Sequence, residues 1–308
     1  MEELKFVFGP VPSRRLGVSL GISPIPKKTC NYSCIYCQLG RTDRMTNTRQ
    51  MFFKVEEIID EFDKALESGL KFDVVTIVGE GEPTLYSGLG ELIVEIKKRT
   101  NKPVAVITNG ALLYDLDLRW ELAMADIVLP TMDAYDEVTL KAINRPYGFL
   151  GFGRVNTGLE TFSEEYQGQL WLELMLIEGM NDDDESLRKY SELLKKIKYD
   201  RLYINTPVRP PAEDCVKAVG HEKMKHAVDL LGGIAIDLLV SQGFQSGLTD
   251  HYDAIMSIIK RHPMNQFEIE SFLKARNCGT IDEILCKLKK DDRVEVLDYK
   301  GYRTYRLK

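Results

Sequence analysis

Short apolar runs alternate with stretches of helical spacing through roughly the first two thirds of the chain. The apolar runs are short and rich in Val, Ile and Leu, which predicts strands at 18–22, 74–78, 104–107, 127–129, 170–177 and 202–204. The stretches between them repeat apolar residues three and four positions apart, which predicts helices at 55–66, 89–96, 116–124 and 187–197. This alternation predicts six βα units, in which helices cover a parallel sheet.

Polar and glycine-rich segments follow almost every predicted strand, so the chemistry is expected at the carboxyl ends of the strands. This placement favours a curved, incomplete barrel over a flat dinucleotide-binding sheet. We therefore predict an α/β fold with a partial (βα)6 TIM-like barrel over residues 1–245.

The pattern changes after a linker-like segment at 241–249. Three helices are predicted at 252–259, 267–273 and 281–288, and two strands at 294–297 and 302–307 flank a turn at Lys300-Gly301. Helices followed by a hairpin are typical of a winged helix. Residues 250–308 are therefore predicted to form a small C-terminal winged-helix-like α+β domain that binds a substrate or partner.

The composition is that of a globular protein, since 44% of the 308 residues are hydrophobic and 29% are charged. No uncharged apolar run approaches the length of a membrane span, and residues 1–10 lack the layout of a signal peptide. A cytoplasmic protein with no membrane partner is expected. The net charge of −6 argues against strong nonspecific attraction to nucleic acid.

Three of the six cysteines are crowded into one segment, Cys30-x3-Cys34-x2-Cys37. Close spacing lets one loop present three thiolates to a four-iron cluster, which leaves one iron without a protein ligand. A structural zinc site and a set of inert thiols are the alternatives; zinc sites of that kind have four protein ligands, and no histidine or fourth cysteine lies nearby. The scattered cysteines are expected to be structural and lie at Cys215, Cys278 and Cys286.

With an aromatic residue, Tyr36, before the last cysteine, the trio resembles the motif of the radical S-adenosylmethionine (SAM) superfamily. The resemblance implies a [4Fe-4S] cluster on the three cysteines and SAM bound to the free iron. SAM would be cleaved reductively to a 5'-deoxyadenosyl radical, and Tyr36 would lie near the adenine.

Two later segments support the resemblance. Gly81, Glu82 and Pro83, after the second predicted strand, resemble the family's GGEP motif, whose backbone and carboxylate receive the SAM amino group; Glu80 stands where a glycine is common. Thr108 and Asn109 resemble the polar motif at the next strand end, which contacts the methionine or ribose part of SAM. Taken singly, each segment could also be an ordinary strand-end turn.

Further polar residues near strand ends are candidates for ligand contacts, although structural ion pairing explains each one equally well. The candidates for SAM are Asp133, Asn144, Glu173 and Asn205, and those for the substrate are Arg145 and Arg209.

The segments 10–17, 30–42, 79–85 and 205–211 resemble one branch of the superfamily, the small proteins grouped with wyosine-base (tRNA) biosynthesis enzymes. The resemblance covers most of residues 6–215. It does not fix a substrate. The leading hypothesis is a macromolecular substrate, RNA or protein, delivered by the C-terminal domain. The best candidates there for phosphate contacts are Lys287, Lys289, Lys290, Arg303 and Arg306, and the substrate candidates chosen among them are Lys287, Lys290 and Arg303.

Two other functions remain open. The chain could be a noncatalytic metal or Fe–S sensor that binds nucleic acid, or an activating enzyme that installs a glycyl radical on a partner protein. The basic residues beside the cysteine loop could guide an acidic electron donor such as flavodoxin or ferredoxin, or form a solvated rim; they are Lys27, Lys28, Arg41 and Arg44.

Overall fold

The computed structural model describes residues 4–236, 244, 246, 248–299 and 301–308. The strands, in chain order, are β1 (Val7–Ser13), β2 (Gly17–Ile22), β3 (Thr29–Cys30), β4 (Arg44–Met45), β5 (Val74–Ile77), β6 (Val104–Thr108), β7 (Ile127–Pro130), β8 (Gln169–Met175), β9 (Arg201–Asn205), β10 (Ile234–Ala235), β11 (Met264–Asn265), β12 (Val294–Tyr299) and β13 (Tyr302–Leu307). The helices are α1 (Val55–Glu67), α2 (Leu89–Arg99), α3 (Leu116–Leu122), α4 (Glu137–Ile143), α5 (Phe152–Glu165), α6 (Asp184–Leu194), α7 (His221–Leu231), α8 (His251–Ile259), α9 (Gln266–Ala275) and α10 (Ile281–Lys290). Among these helices, none is long and apolar enough to span a bilayer.

An eight-stranded sheet forms the centre of the fold, in the order β1-β2-β5-β6-β7-β8-β9-β10. All neighbours from β2 to β10 pair in parallel, whereas β1 pairs antiparallel with β2. The six predicted parallel strands are confirmed with small shifts at their ends, and a helix follows each of them. This mixed α/β arrangement is consistent with the predicted partial barrel.

The segment 10–17, expected to precede the first strand, instead completes β1 and the turn into β2. The hydrophobic pattern misses β1 because Gly9, Pro10 and Pro12 interrupt it. An edge strand tolerates proline because one of its sides needs no ladder partner, and β1 is the edge of the sheet. The helices α4, α5 and α7 and the strand β10 were also not predicted.

The two faces of the sheet have different chemistry, because successive side chains of a strand point to opposite sides. One face packs its apolar residues in the main core that the helices cover, as Leu20, Val75 and Leu172 do. The opposite face has an apolar part, which includes Val74 and Trp171, and a polar part toward the carboxyl ends of the strands. Polar groups therefore collect at the carboxyl end of this second face, which is called the inner face.

The C-terminal unit, residues 250–308, contains the three predicted helices and the predicted hairpin. A short additional strand, β11, pairs with β13 to give a three-stranded sheet in the order β11-β13-β12. Its identification as a winged helix and its boundary remain predictions. The predicted linker at 241–249 lies largely outside the described residues, and so does Lys300 of the predicted turn.

The C-terminal unit packs directly on the barrel. Val11 and Phe8 of β1 join the apolar core formed by α8, α9 and α10. Tyr299 Oη donates to the carbonyl oxygen of Pro207 over 2.7 Å, and an Arg306 N–H donates to the carbonyl oxygen of Gln38, just after the cysteine loop. The unit therefore contacts the loops at the carboxyl edge of the sheet.

Candidate active site

A cavity of about 320 Å³ opens at the carboxyl ends of the parallel strands. It is called the cysteine cavity here because Cys30, Cys34 and Cys37 line it together. The loops after β5, β6, β7 and β9, the end of β8 and the β1–β2 turn supply further parts of its wall. A volume of this size is typical of sites for small molecules, which occupy roughly 300–1,000 Å³.

Hydrogen-bond donors surround the cysteine sulfurs. The backbone N–H of Tyr32 lies 3.4 Å from Cys30 Sγ, and the side-chain amide of Asn109 lies 3.6 Å from the same sulfur. The side-chain amide of Asn144 donates to Cys34 Sγ over 3.5 Å. Such donors stabilise negative charge on sulfur and are typical of outer-shell groups around metal ligands.

Burial raises the pKa of all three thiols, Cys30, Cys34 and Cys37. Thiolates in this environment need positive partners, which iron ions provide. Within the part of the chain that the structure describes, no three His, Cys, Asp or Glu side chains are grouped to hold a single metal ion. A cubane needs no such grouping, because each cysteine binds a different iron. Because the three thiols share one cavity and two of their sulfurs accept hydrogen bonds, the trio fits a cluster.

Glu82 is the hub of the wall beside Cys30. Its carboxylate is 2% exposed and accepts four hydrogen bonds. Oε1 accepts from the backbone N–H and hydroxyl of Thr84 and from the hydroxyl of Thr108, whereas Oε2 accepts from the backbone N–H of Asn109. Burial raises the pKa of Glu82, and these hydrogen bonds oppose that rise. The predicted SAM residues Glu82, Thr108 and Asn109 thus form one rigid group.

A backbone contact joins this group to the cysteine loop. The Glu82 N–H donates to the carbonyl oxygen of Thr29 over 3.0 Å. A Cβ placed on Gly81 would stand 1.9 Å from that same oxygen, so no residue with a side chain fits there without a backbone shift. Pro83 begins the short turn Pro83–Leu85 that follows.

Asp133 is a second buried hub, on the other side of the cysteine loop. It accepts hydrogen bonds from the Tyr36 hydroxyl, from the Asn144 amide over 2.8 Å and from the backbone N–H of Met175 over 3.1 Å. Burial raises the pKa of Asp133 to about 6, although the hydrogen bonds lower it. Because Asn144 also reaches Cys34, Asp133 positions both Tyr36 and a donor to sulfur. The hydrogen bonds that Asp133 accepts come from groups of the protein itself.

Glu173 and Asn205 meet on the inner face of the sheet. The Asn205 amide donates to Glu173 Oε1 over 3.1 Å, and the other Glu173 oxygen contacts the Arg15 guanidinium. Both residues line the cysteine cavity. Arg15 reaches them from the β1–β2 turn, and burial lowers its pKa to about 10.

A second cavity of about 240 Å³ shares a wall with the first. It is called the arginine cavity because Arg14, Arg15, Arg209 and Arg261 line it. Of these only Arg209 was predicted as a site residue. The others were missed because Arg14 and Arg15 lie at a turn and Arg261 follows a helix of another unit. In the sequence, the dipeptide Arg14-Arg15 was the feature that could have indicated this cavity.

The predicted substrate residues are not brought together. Arg145 donates to Glu213 over 2.6 Å at the exposed rim. Arg209 is directed at the C-terminal unit, where it contacts His262 and Glu268. The remaining three line neither cavity; they are Lys287 and Lys290 on α10 and Arg303 on β13.

Comparisons with known proteins identify the relatives of this chain. Residues 25–190 match the family model described as the Radical SAM superfamily. The chain is 33% identical to the UPF0026 protein of Methanocaldococcus jannaschii over 98% of its own length and 96% of that protein. It is 43% identical to a Brachyspira hyodysenteriae protein named GTPase Obg, but the match covers 72% of this chain and only 33% of that protein. Neither name refers to wyosine-base synthesis.

Among solved structures, a radical SAM methyltransferase from Sphaerobacter thermophilus has a similar fold, with a TM-score of 0.53. The two sequences are 17% identical, and the superposition covers 71% of this chain and 68% of that one. At this identity, the likeness concerns the fold alone.

Proposed function

The chain belongs to the radical SAM superfamily, and from this premise we propose that it is an enzyme that uses a [4Fe-4S] cluster to cleave SAM reductively to a 5'-deoxyadenosyl radical. One observation carries the proposal. The three cysteines line the same cavity as the Glu82–Asn109 wall, so ligands for a cluster and acceptors for an ammonium group face one space.

Each side chain has a definite task in this proposal. Cys30, Cys34 and Cys37 hold the cluster and leave one iron for SAM. Glu82 holds Asn109 at the cavity wall and, with the backbone of Gly81, offers acceptors to the SAM ammonium group.

Tyr36 and Asn144 are fixed by Asp133, so the ring that lines the cavity and the donor to Cys34 keep their orientation without ligand. This preorganisation supports an enzyme more than a metal sensor, because a sensor needs no polar wall for a second ligand.

The basic residues beside the cysteine loop support docking of an acidic electron donor, flavodoxin or ferredoxin, as part of the proposal. Arg41 is exposed there and pairs with Glu213 over 2.9 Å. The expectation of an RNA or protein substrate has less support, because Lys287, Lys290 and Arg303 line neither cavity. The wyosine-base branch remains a hypothesis on sequence resemblance.

The proposal is tested on protein purified without oxygen. We expect about four irons per chain and formation of 5'-deoxyadenosine from SAM after reduction with dithionite. Cys34→Ser should lower 5'-deoxyadenosine formation beyond the roughly 10- to 100-fold that loss of an outer-shell group causes. The matched control is Cys286→Ser, at an exposed cysteine, which should behave as the wild type. Zinc in place of iron, or iron without any 5'-deoxyadenosine, would refute the proposal.

A further inference from the structure

The arginine cavity contains more positive than negative charge. Three of its arginines contact carboxylates: Arg15 contacts Glu173, Arg209 contacts Glu268 over 3.4 Å, and Arg261 contacts Glu80 over 3.3 Å. Arg14 differs, since no carboxylate of the described residues forms an ion pair with it. One guanidinium is therefore left over in the lining.

The arginines also repel one another. Burial lowers the pKa of His262, and the charges of Arg209 and Arg14 lower it further. The same Arg14 charge adds to the burial effect that lowers the pKa of Arg15 and Arg209. His262 is therefore neutral, and its Nε2 accepts from an Arg209 N–H over 2.7 Å. An anion in the cavity would relieve this crowding of positive charge.

The position of the cavity suits a substrate. Ser13, Arg14 and Arg15 bound it on the β1–β2 side, Ile236 lies just after β10, and His262 comes from the C-terminal unit. β1 and β10 are the two edges of the sheet, so the cavity occupies the open side of the barrel.

The cavity shares a wall with the cysteine cavity, and Gln38, Glu80 and Asn205 belong to both linings. A molecule anchored at the arginines can therefore extend toward the site assigned to SAM.

We propose that the arginine cavity binds the anionic end of the substrate, a small molecule that carries a phosphate or carboxylate group, with Arg14 as the principal contact. The planar guanidinium donates two parallel hydrogen bonds to either oxyanion. The volume of the cavity, about 240 Å³, favours a small molecule over a polymer. That the bound molecule is the substrate rests on the proposed function, whereas the anion site itself does not.

The test is calorimetric titration of the cluster-loaded protein with inorganic phosphate and, separately, with acetate. We expect at least one of the two to bind, and the tighter one identifies the kind of group. Arg14→Gln should weaken that binding by at least about tenfold, because a charge-assisted hydrogen bond is lost. Arg14→Lys, which keeps the charge but loses the fork, should bind with intermediate affinity. The matched control is Arg188→Gln, at an exposed position of α6, which should bind as the wild type does.

Several outcomes would overturn the inference: no binding of either anion, equal affinity of the wild type and Arg14→Gln, or displacement of the anion by SAM in simple competition. The last result would assign the arginines to the SAM carboxylate. An RNA oligonucleotide that binds more tightly than the free anions and also depends on Arg14 would overturn the small-molecule class. Formation of 5'-deoxyadenosine by the wild type is scored separately, so failure of the proposed function and failure of the anion site give different results.

Discussion

The two adjoining cavities differ in how the protein compensates their buried charges. In the cysteine cavity, the buried carboxylates of Glu82 and Asp133 are surrounded by hydrogen-bond donors of the protein itself. In the arginine cavity, four guanidinium groups line one space, and no carboxylate of the described residues pairs with Arg14. The first arrangement fixes its groups before any ligand arrives, whereas the second leaves a charge that a ligand can neutralise. The cysteine cavity is thus preorganised in the positions of its side chains, and the arginine cavity in its positive charge.

Glu80 stands at the boundary between the cavities and gives the largest expected effect on stability. It is 7% exposed and pairs with the equally buried Arg261. Glu80→Gln removes the buried carboxylate that this guanidinium contacts, which should lower the free energy of unfolding by about 3–5 kcal/mol. Denaturant titration measures the change.

The double variant Glu80→Gln/Arg261→Met removes both charges, so it should lose clearly less stability than the single variant. Glu185→Gln on α6 is the surface control, since its partner Lys189 is well exposed, and it should change stability by less than about 1 kcal/mol. Equal losses for Glu80→Gln and Glu185→Gln would show that the boundary pair is not effectively buried.

Asp133 predicts a pH dependence in the cysteine cavity. Its folded pKa is about 6 against an ordinary value of 3.8, so the folded chain binds this proton more tightly than the unfolded chain. The resulting stabilisation is complete below pH 3.8 and is lost as the pH rises through 6. In iron-free protein, the difference in unfolding free energy between the wild type and Asp133→Asn should therefore shift by about 2 kcal/mol between pH 4 and 7, in favour of the variant at pH 7. A constant difference would contradict the assignment.

Asn144 gives the smallest of these effects. Its amide donates to Cys34 Sγ and to Asp133, so Asn144→Ala removes an orienting donor and keeps all three cysteines. Cluster retention should fall by roughly 10- to 100-fold, seen as faster loss of iron to a chelator. Asn101→Ala, at an exposed loop position, is the control. Unchanged iron release in Asn144→Ala would mean that the cysteines alone determine how firmly iron is held.

The sequence predicts the cysteine cavity better than the arginine cavity for a physical reason. The cysteine segment comes after β2, Gly81–Pro83 after β5 and Thr108–Asn109 at the end of β6. Parallel strands bring their carboxyl ends to one edge whatever the details of packing. The six strands are visible in the hydrophobic pattern for the same reason. The roles of such residues are harder to predict, because only the structure shows that Asp133 accepts hydrogen bonds from Tyr36 and Asn144.

The arginine cavity depends on contacts that no local pattern encodes. Arg14 comes from a proline-interrupted edge strand and its turn, Arg209 from a loop, and Arg261 from the far unit. Positive charge on α10, at Lys287 and Lys290, was the more conspicuous signal in the sequence. Charge count alone does not show which face of a helix approaches a site.

The contact between Gly81 and Thr29 limits how this site can be altered. The loop that carries Gly81 and the loop that carries the cysteines touch through main-chain atoms, with no side chain between them. Adding a single methyl group at position 81 would act as a wedge and move the acceptors of one loop away from the sulfurs of the other. Redesign for a different substrate is therefore better directed at the open side of the barrel than at the contact between Gly81 and Thr29.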